Sequence, residues 1–175
     1  MNSHLIGSNI SAETLFRMHL VLGYVAWLLC FAVYIWPWLK AKELIEAHRA
    51  IATLHSFRFF GLVFIIPGIV DPSMPASFAT PAAYGDFATG LLAILALMTV
   101  RVRPLFWVFV IGFNVAGTLD IIIDYYHAIQ ADLPAHPWRF STTYGIPIIY
   151  VPLLMITHVA AFYLLVRGPV RQHSV

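Results

Sequence analysis

The stretch Pro104–Ile129, PLFWVFVIGFNVAGTLDIIIDYYHAI, decides the fold, because so long an apolar run can cross a bilayer as a helix. Two aspartates and a histidine interrupt its second half. Each helical residue turns by about 100°, so Asp120, Asp124 and His127 lie within an arc of roughly 60° on one face. They form either a binding site or the solvated end of a membrane helix.

The composition predicts an integral membrane protein. Hydrophobic residues make up 61% of the chain and charged residues only 10%, and the mean hydropathy is +0.82. Soluble domains carry about 25% charged residues. The net charge of +2 is too small to indicate a nucleic-acid partner. The single cysteine, Cys30, excludes an internal disulfide and argues against a structural zinc site.

The hydropathy pattern predicts one domain, an all-α bundle of five transmembrane helices. Each span needs about 20 mostly apolar residues. Prolines predict some of the boundaries: Pro81 and Pro104 open the third and fourth spans, and Asp71-Pro72 ends the second. Three further prolines, at 67, 147 and 152, should kink their spans or free backbone carbonyls. The expected spans are about 14–39, 50–70, 81–100, 104–127 and 142–166.

The basic residues predict the orientation. They concentrate after the first, third and fifth expected spans, and such loops are usually cytoplasmic. The N-terminus is therefore expected outside the cell and the C-terminus in the cytoplasm, with the protein in a cell membrane, typically the bacterial inner membrane. The residues that carry this prediction are Lys40, Lys42, Arg49, Arg101, Arg103, Arg167 and Arg171.

A weak tandem repeat relates helices 2–3 to helices 4–5. GIVD, Gly68–Asp71, resembles GTLD, Gly117–Asp120, and Tyr84-Gly85 resembles Tyr144-Gly145. An axis along the membrane normal would relate the two hairpins.

Polar residues near the outer end of the bundle form a first candidate site. Ionisable groups inside a membrane usually face a partner or a cavity. Asp120 should face the bundle interior and have a partner there, whereas Asp124 and His127 should reach the interface. A metal held by these three residues is the alternative that the spacing allows, but no metal site is expected. The other candidate ligand-binding residues at this level are Asp86, His19 and Tyr144.

A second set lies deeper and comprises His55, Arg58, Asn114 and His158. Two histidines at similar depth on different helices would suit the axial ligands of a haem b. Arg58 should point inward and bind Asn114, or backbone carbonyls freed by Pro147 or Pro152. Alternatively, these residues only pair helices with one another.

Three hypotheses for function follow from these two sets. The leading one is a membrane protein that binds a small hydrophobic ligand, quinone-like or lipid-like, in a polar-lined pocket between helices. The second is a b-type haem redox protein with His55 and His158 as axial ligands. The third is a non-catalytic accessory subunit of a larger membrane complex or a homo-oligomer. No catalytic residue is identified.

Overall fold

The computed structural model describes residues 10–167, except the side chain of Arg167. Within this range the chain is helical and contains no β-strand. Arg171, part of the predicted cytoplasmic tail, lies outside the described residues. The helices are α1 (Ala12–Lys40), α2 (Leu44–Ser56), α3 (Ala76–Met98), α4 (Arg103–Gln130) and α5 (Val151–Arg167), which a π-helical turn, Ile146–Tyr150, precedes.

Four helical segments are long and apolar enough to cross a membrane, so the expected all-α membrane architecture is confirmed at that level. They are Ala12–Lys40, Ala76–Met98, Arg103–Gln130 and Ile146–Val166. We call the end of the bundle where α1 begins and α4 finishes the upper end. The opposite end, where α1 finishes at Lys40 and α4 begins at Arg103, is the lower end.

The second expected span is helical but divided. It begins at Leu44, earlier than expected, and changes after Ser56 into a 3₁₀ helix, Phe57–Ile65. The end expected at Asp71-Pro72 is wrong, because Ile66 is already extended with φ −83° and ψ 121°. Pro67 accounts for that conformation, since a proline disfavours the helical region for the residue before it.

The third span begins at Ala76, so the start expected at Pro81 is also wrong and Pro81 lies inside α3. A proline has no N–H to donate to the carbonyl four residues earlier, here that of Ser77. His127 on α4 uses this free acceptor: its Nδ1–H donates to Ser77 O at 2.6 Å. The proline thus supplies a contact between α3 and α4.

Helices α1 and α5 meet along a close backbone contact. The π-helical geometry of the turn before α5 and the missing N–H of Pro152 leave carbonyls of this turn open to other donors. Trp27 Nε1 donates to Ile149 O at 2.8 Å. A Cβ at Gly23 would collide with the carbonyl oxygen of Ile148, so only glycine permits this approach. Ser11 caps the start of α1 by accepting the N–H of Thr14.

Two apolar cores lie one above the other. The lower core is built largely from alanines packed against two phenylalanines of α4, Phe106 and Phe113. The upper core is aromatic and includes Phe16, Phe64, Phe78 and Phe140. The polar residues described next lie between the two cores.

Candidate functional site

Arg58 is the centre of the site. It lies in the 3₁₀ helix, and its side chain is only 1% exposed. Its Nε donates to Asp86 Oδ1 at 2.6 Å and its Nη2 donates to Asp120 Oδ2. Its Nη1 donates to Gly117 O at 3.2 Å and to His158 Nε2 at 3.3 Å. We call Arg58, Asp86, Asp120 and His158 the arginine centre.

Two expectations about this centre are confirmed and one is wrong. Asp120 does face the bundle interior and has a buried partner, and Arg58 does point inward. However, Arg58 binds neither Asn114 nor a carbonyl near Pro147 or Pro152. Carboxylates on α3 and α4 compensate its positive charge instead, whereas a neutral amide or carbonyl would leave this charge uncompensated.

The hydrogen bonds of His158 require a neutral ring, and a proton on His55 Nδ1 would be a buried charge without a partner. A guanidinium only donates, so His158 Nε2 accepts from Arg58 and its Nδ1–H donates to Asn114 Oδ1 at 2.9 Å. The hydroxyl hydrogen of Thr157 is directed at backbone carbonyls, so Thr157 Oγ1 accepts from His55 Nε2 at 3.0 Å. His55 Nδ1 is buried and has no partner.

The bis-histidine haem hypothesis does not fit this arrangement. The rings of His55 and His158 face each other, with centroids 4.1 Å apart and planes inclined by 38°. Axial histidines bind from opposite faces of a macrocycle, with each nitrogen ~2 Å from the iron. There is no space for a macrocycle between these rings. In residues 10–167, no three of the His, Cys, Asp and Glu side chains are grouped so as to hold a metal ion.

Glycines on three elements make room for the charged side chains. A Cβ at Gly61 would collide with Asp86, and one at Gly85 would collide with Asp120. A Cβ at Gly117 would lie 2.5 Å from Arg58 Nη1 and 2.6 Å from His158 Nε2. Gly85 and Gly117 belong to the expected repeat. Gly68, the counterpart of Gly117, instead has a φ of +83° and no neighbour within 4 Å, and the repeat stays a prediction.

A cavity of about 430 Å³ lies between the arginine centre and the upper end. Arg58 and Asp86 of the arginine centre line it, together with Asp124. Six aromatic side chains of the upper bundle line its walls: Phe16, Phe64, Phe78, Tyr125, Phe140 and Tyr150. Small-molecule sites typically have this size and this mixture of apolar walls with a few polar groups.

Two polar atoms in the cavity wall lack hydrogen-bond partners. Asp124 Oδ1 and the Tyr150 hydroxyl are both inaccessible to solvent and unpaired. The neighbouring Tyr125 hydroxyl is, by contrast, hydrogen-bonded to that of Tyr24 at 2.9 Å. Buried polar groups usually have partners, and these two unpaired atoms belong to residues that line the same cavity.

Other expected site residues lie apart from the cavity. His19 Nδ1 and the Tyr144 hydroxyl are hydrogen-bonded to each other at 2.9 Å, beside a separate shallow groove. Asn114 is buried behind His158. Asp71, at which the second span was expected to end, lies in the turn before α3, where hydrogen bonds from the Ser73 hydroxyl and backbone N–H hold the pKa of its carboxyl below the usual value.

The fold and site together define a class: an all-helical protein with membrane-length helices, in which a buried arginine bound to two aspartates closes one end of an aromatic cavity. Residues 15–166 match the family model described as Domain of unknown function (DUF8737), and the chain belongs to that family. No curated protein and no solved structure matches the chain.

Proposed function

We propose that this protein binds a small, largely hydrophobic ligand, quinone-like or lipid-like, inside a membrane. The observation that carries the proposal is the cavity above the arginine centre, because its aromatic walls enclose two polar atoms without partners. Such atoms cost free energy while unpaired, about 1–3 kcal/mol each, and a bound polar group would offset that cost.

We further propose five spans, with the N-terminus outside and the C-terminus in the cytoplasm, in a bacterial inner membrane. Length supports a fifth span: Leu44–Ser56 and Phe57–Ile65 together rise by about 37 Å, and a hydrocarbon core is about 30 Å thick. The cavity would then lie towards the outer face. A reporter fused after Val175 should be active only in the cytoplasm, and activity only outside the cell would overturn the orientation.

A test of the ligand-binding proposal fills the cavity. Ala128 lines it, whereas Ala88 is exposed on the outside of α3. The wild type and the Ala128→Trp and Ala88→Trp variants would be purified in a non-ionic detergent, extracted with organic solvent and analysed by mass spectrometry. We expect a molecule that co-purifies with the wild type and with Ala88→Trp but not with Ala128→Trp. Identical extracts from all three folded proteins would refute the proposal.

A role as an accessory subunit is a second proposal, favoured by the exposure of α1. No side chain in the most apolar stretch of α1 is buried within the bundle. In a membrane this face contacts either lipid or another protein, including a second copy. Cysteine cross-linking at Leu22, which is 58% exposed, would report a protein neighbour, and its failure in native membranes would favour lipid.

A further inference from the structure

The charge balance around the cavity is unequal. One guanidinium, Arg58, lies beside three carboxylates: Asp86 and Asp120, which it binds, and Asp124, one helical turn beyond Asp120. The histidines add no positive charge: His158 accepts from Arg58 and is neutral, and a second proton on His55 would be buried without a partner. One positive and three negative groups leave a formal charge of −2 when all are ionised.

No other cation in the cavity lining compensates for this charge. Among the described lining residues the only other basic side chain is Arg17, at the upper end of α1. Arg17 forms an ion pair with Glu13 at 2.5 Å, and its side chain is 68% exposed. Its charge is therefore shared with another carboxylate and with solvent, which screens it from the arginine centre.

Asp124 is the carboxylate that Arg58 leaves without a direct partner. One of its oxygens is buried and unpaired. Aromatic rings surround the same space, and the faces of such rings attract cations. A positively charged nitrogen would find both a carboxyl group and aromatic faces here, whereas a carboxylate or phosphate would add negative charge to a site that already holds three carboxyl groups and one guanidinium.

We propose that the ligand of this cavity is an amphiphilic amine, whose ammonium group binds Asp124 and whose apolar body packs against the aromatic walls. This inference rests on the proposed ligand-binding function and adds the chemical class. The arginine centre is then a fixed part of the wall, because Arg58 is already committed to two carboxylates, a carbonyl and a histidine.

The test uses three probes with one apolar body: 4-phenylbutylamine, 4-phenylbutanol and 4-phenylbutyrate. Binding to the full chain in nanodiscs of a neutral lipid is measured by equilibrium dialysis, with empty nanodiscs as the correction for partitioning. We expect the amine to bind about tenfold more tightly than the alcohol, and the carboxylate to show no saturable binding.

Two variants identify the counter-ion. Asp124→Asn should lower the amine affinity about tenfold, to that of the alcohol, and leave alcohol binding unchanged. Asp132→Asn is the matched control, since Asp132 lies beyond α4, is exposed, and has a φ of +52°, which asparagine tolerates. It should bind all three probes like the wild type.

The outcomes separate the two proposals. If alcohol and amine bind equally well, and Asp124→Asn changes neither, the amine inference is overturned and the cavity remains a site for neutral ligands. If no probe binds, and the cavity-filling Ala128→Trp variant loses no co-purified molecule, ligand binding and the amine inference both fall.

Discussion

The arginine centre and the cavity adjoin each other, yet their buried polar groups differ. Those of the arginine centre are hydrogen-bonded, whereas two beside the cavity are not. In the arginine centre every nitrogen of Arg58 donates to a partner, on α3, α4 or α5. In the cavity, Asp124 and Tyr150 each present a buried polar atom with no partner. Satisfied buried networks fix a structure, whereas unsatisfied groups cost stability. The first region therefore holds the helices together, and the second is where we propose that a ligand binds.

The largest expected effect tests the structural role of the arginine centre. Arg58→Leu leaves Asp86 and Asp120 buried without a counter-ion, so the free energy of unfolding should fall by about 3–5 kcal/mol. Thermal unfolding in a non-ionic detergent measures the loss. Arg49→Leu is the control, because Arg49 pairs with Glu46 on an exposed surface, where a pair contributes about 0–1 kcal/mol.

A triple variant distinguishes lost charge compensation from lost packing. Replacing Arg58, Asp86 and Asp120 together with leucine removes the unpaired charges and should recover much of the stability lost in Arg58→Leu. If Arg58→Leu unfolds at the temperature of Arg49→Leu, the arginine centre does not hold the helices together.

A smaller effect is expected from the glycines around the centre. In Gly117→Ala the new methyl group would lie 2.5–2.7 Å from atoms of Arg58, His158 and Thr89, so unfolding should become easier by about 1–3 kcal/mol. Gly112→Ala, on the same helix, meets only Leu92, at 4.0 Å, and should stabilise α4 by up to about 1 kcal/mol. Unfolding temperatures measured side by side compare them, and equal shifts would show that Gly117 is not a contact position.

The smallest expected effect comes from comparing a hydrogen-bonded tyrosine hydroxyl with an unpaired one. Tyr125→Phe removes a hydrogen bond to Tyr24 and should cost about 0.5–1.5 kcal/mol of unfolding free energy. Tyr150→Phe removes a buried hydroxyl that has no partner, so stability should stay the same or rise. Both tyrosines line the cavity. A larger loss for Tyr150→Phe in the ligand-free protein would mean that its hydroxyl is bonded after all.

The sequence predicted which ionisable residues face the bundle interior, because exposing them to lipid costs free energy. It did not predict which residues they contact, because that depends on how the helices pack. An ionisable side chain inside an apolar helix must face a partner, which was enough to place Asp120 and Arg58 inward. The identity of the partner depends on which helices pack together, and periodicity within one helix carries no such information. Gly61, Gly85 and Gly117 were the available signal, because a glycine opposite a charge provides room for it.

The helix boundaries show the same difference between features that one segment of sequence determines and features that depend on neighbouring helices. Runs of apolar residues predicted the four long helices, because a helix needs about 20 apolar residues to cross the hydrocarbon core of a bilayer. The starts and ends at prolines were less predictable. Pro81 is tolerated inside α3 because His127 uses the carbonyl that it frees, a contact between residues 50 positions apart in the chain. The 3₁₀ segment Phe57–Ile65 likewise depends on its neighbours, since Gly90 admits its backbone against α3.

The order of Arg58 and its partners along the chain has a consequence for biosynthesis. Asp86 follows Arg58 by 28 residues and Asp120 follows it by 62, so the guanidinium leaves the ribosome before either carboxylate. An arginine alone at the centre of a membrane helix costs about 2.5–3.5 kcal/mol on insertion scales. In the proposed five-span arrangement, the segment that contains Arg58 would therefore not settle in the bilayer until α3 arrives with Asp86. The segment that contains Arg58 and α3 would then insert together. A chain truncated before Asp86 should leave Arg58 at the membrane surface.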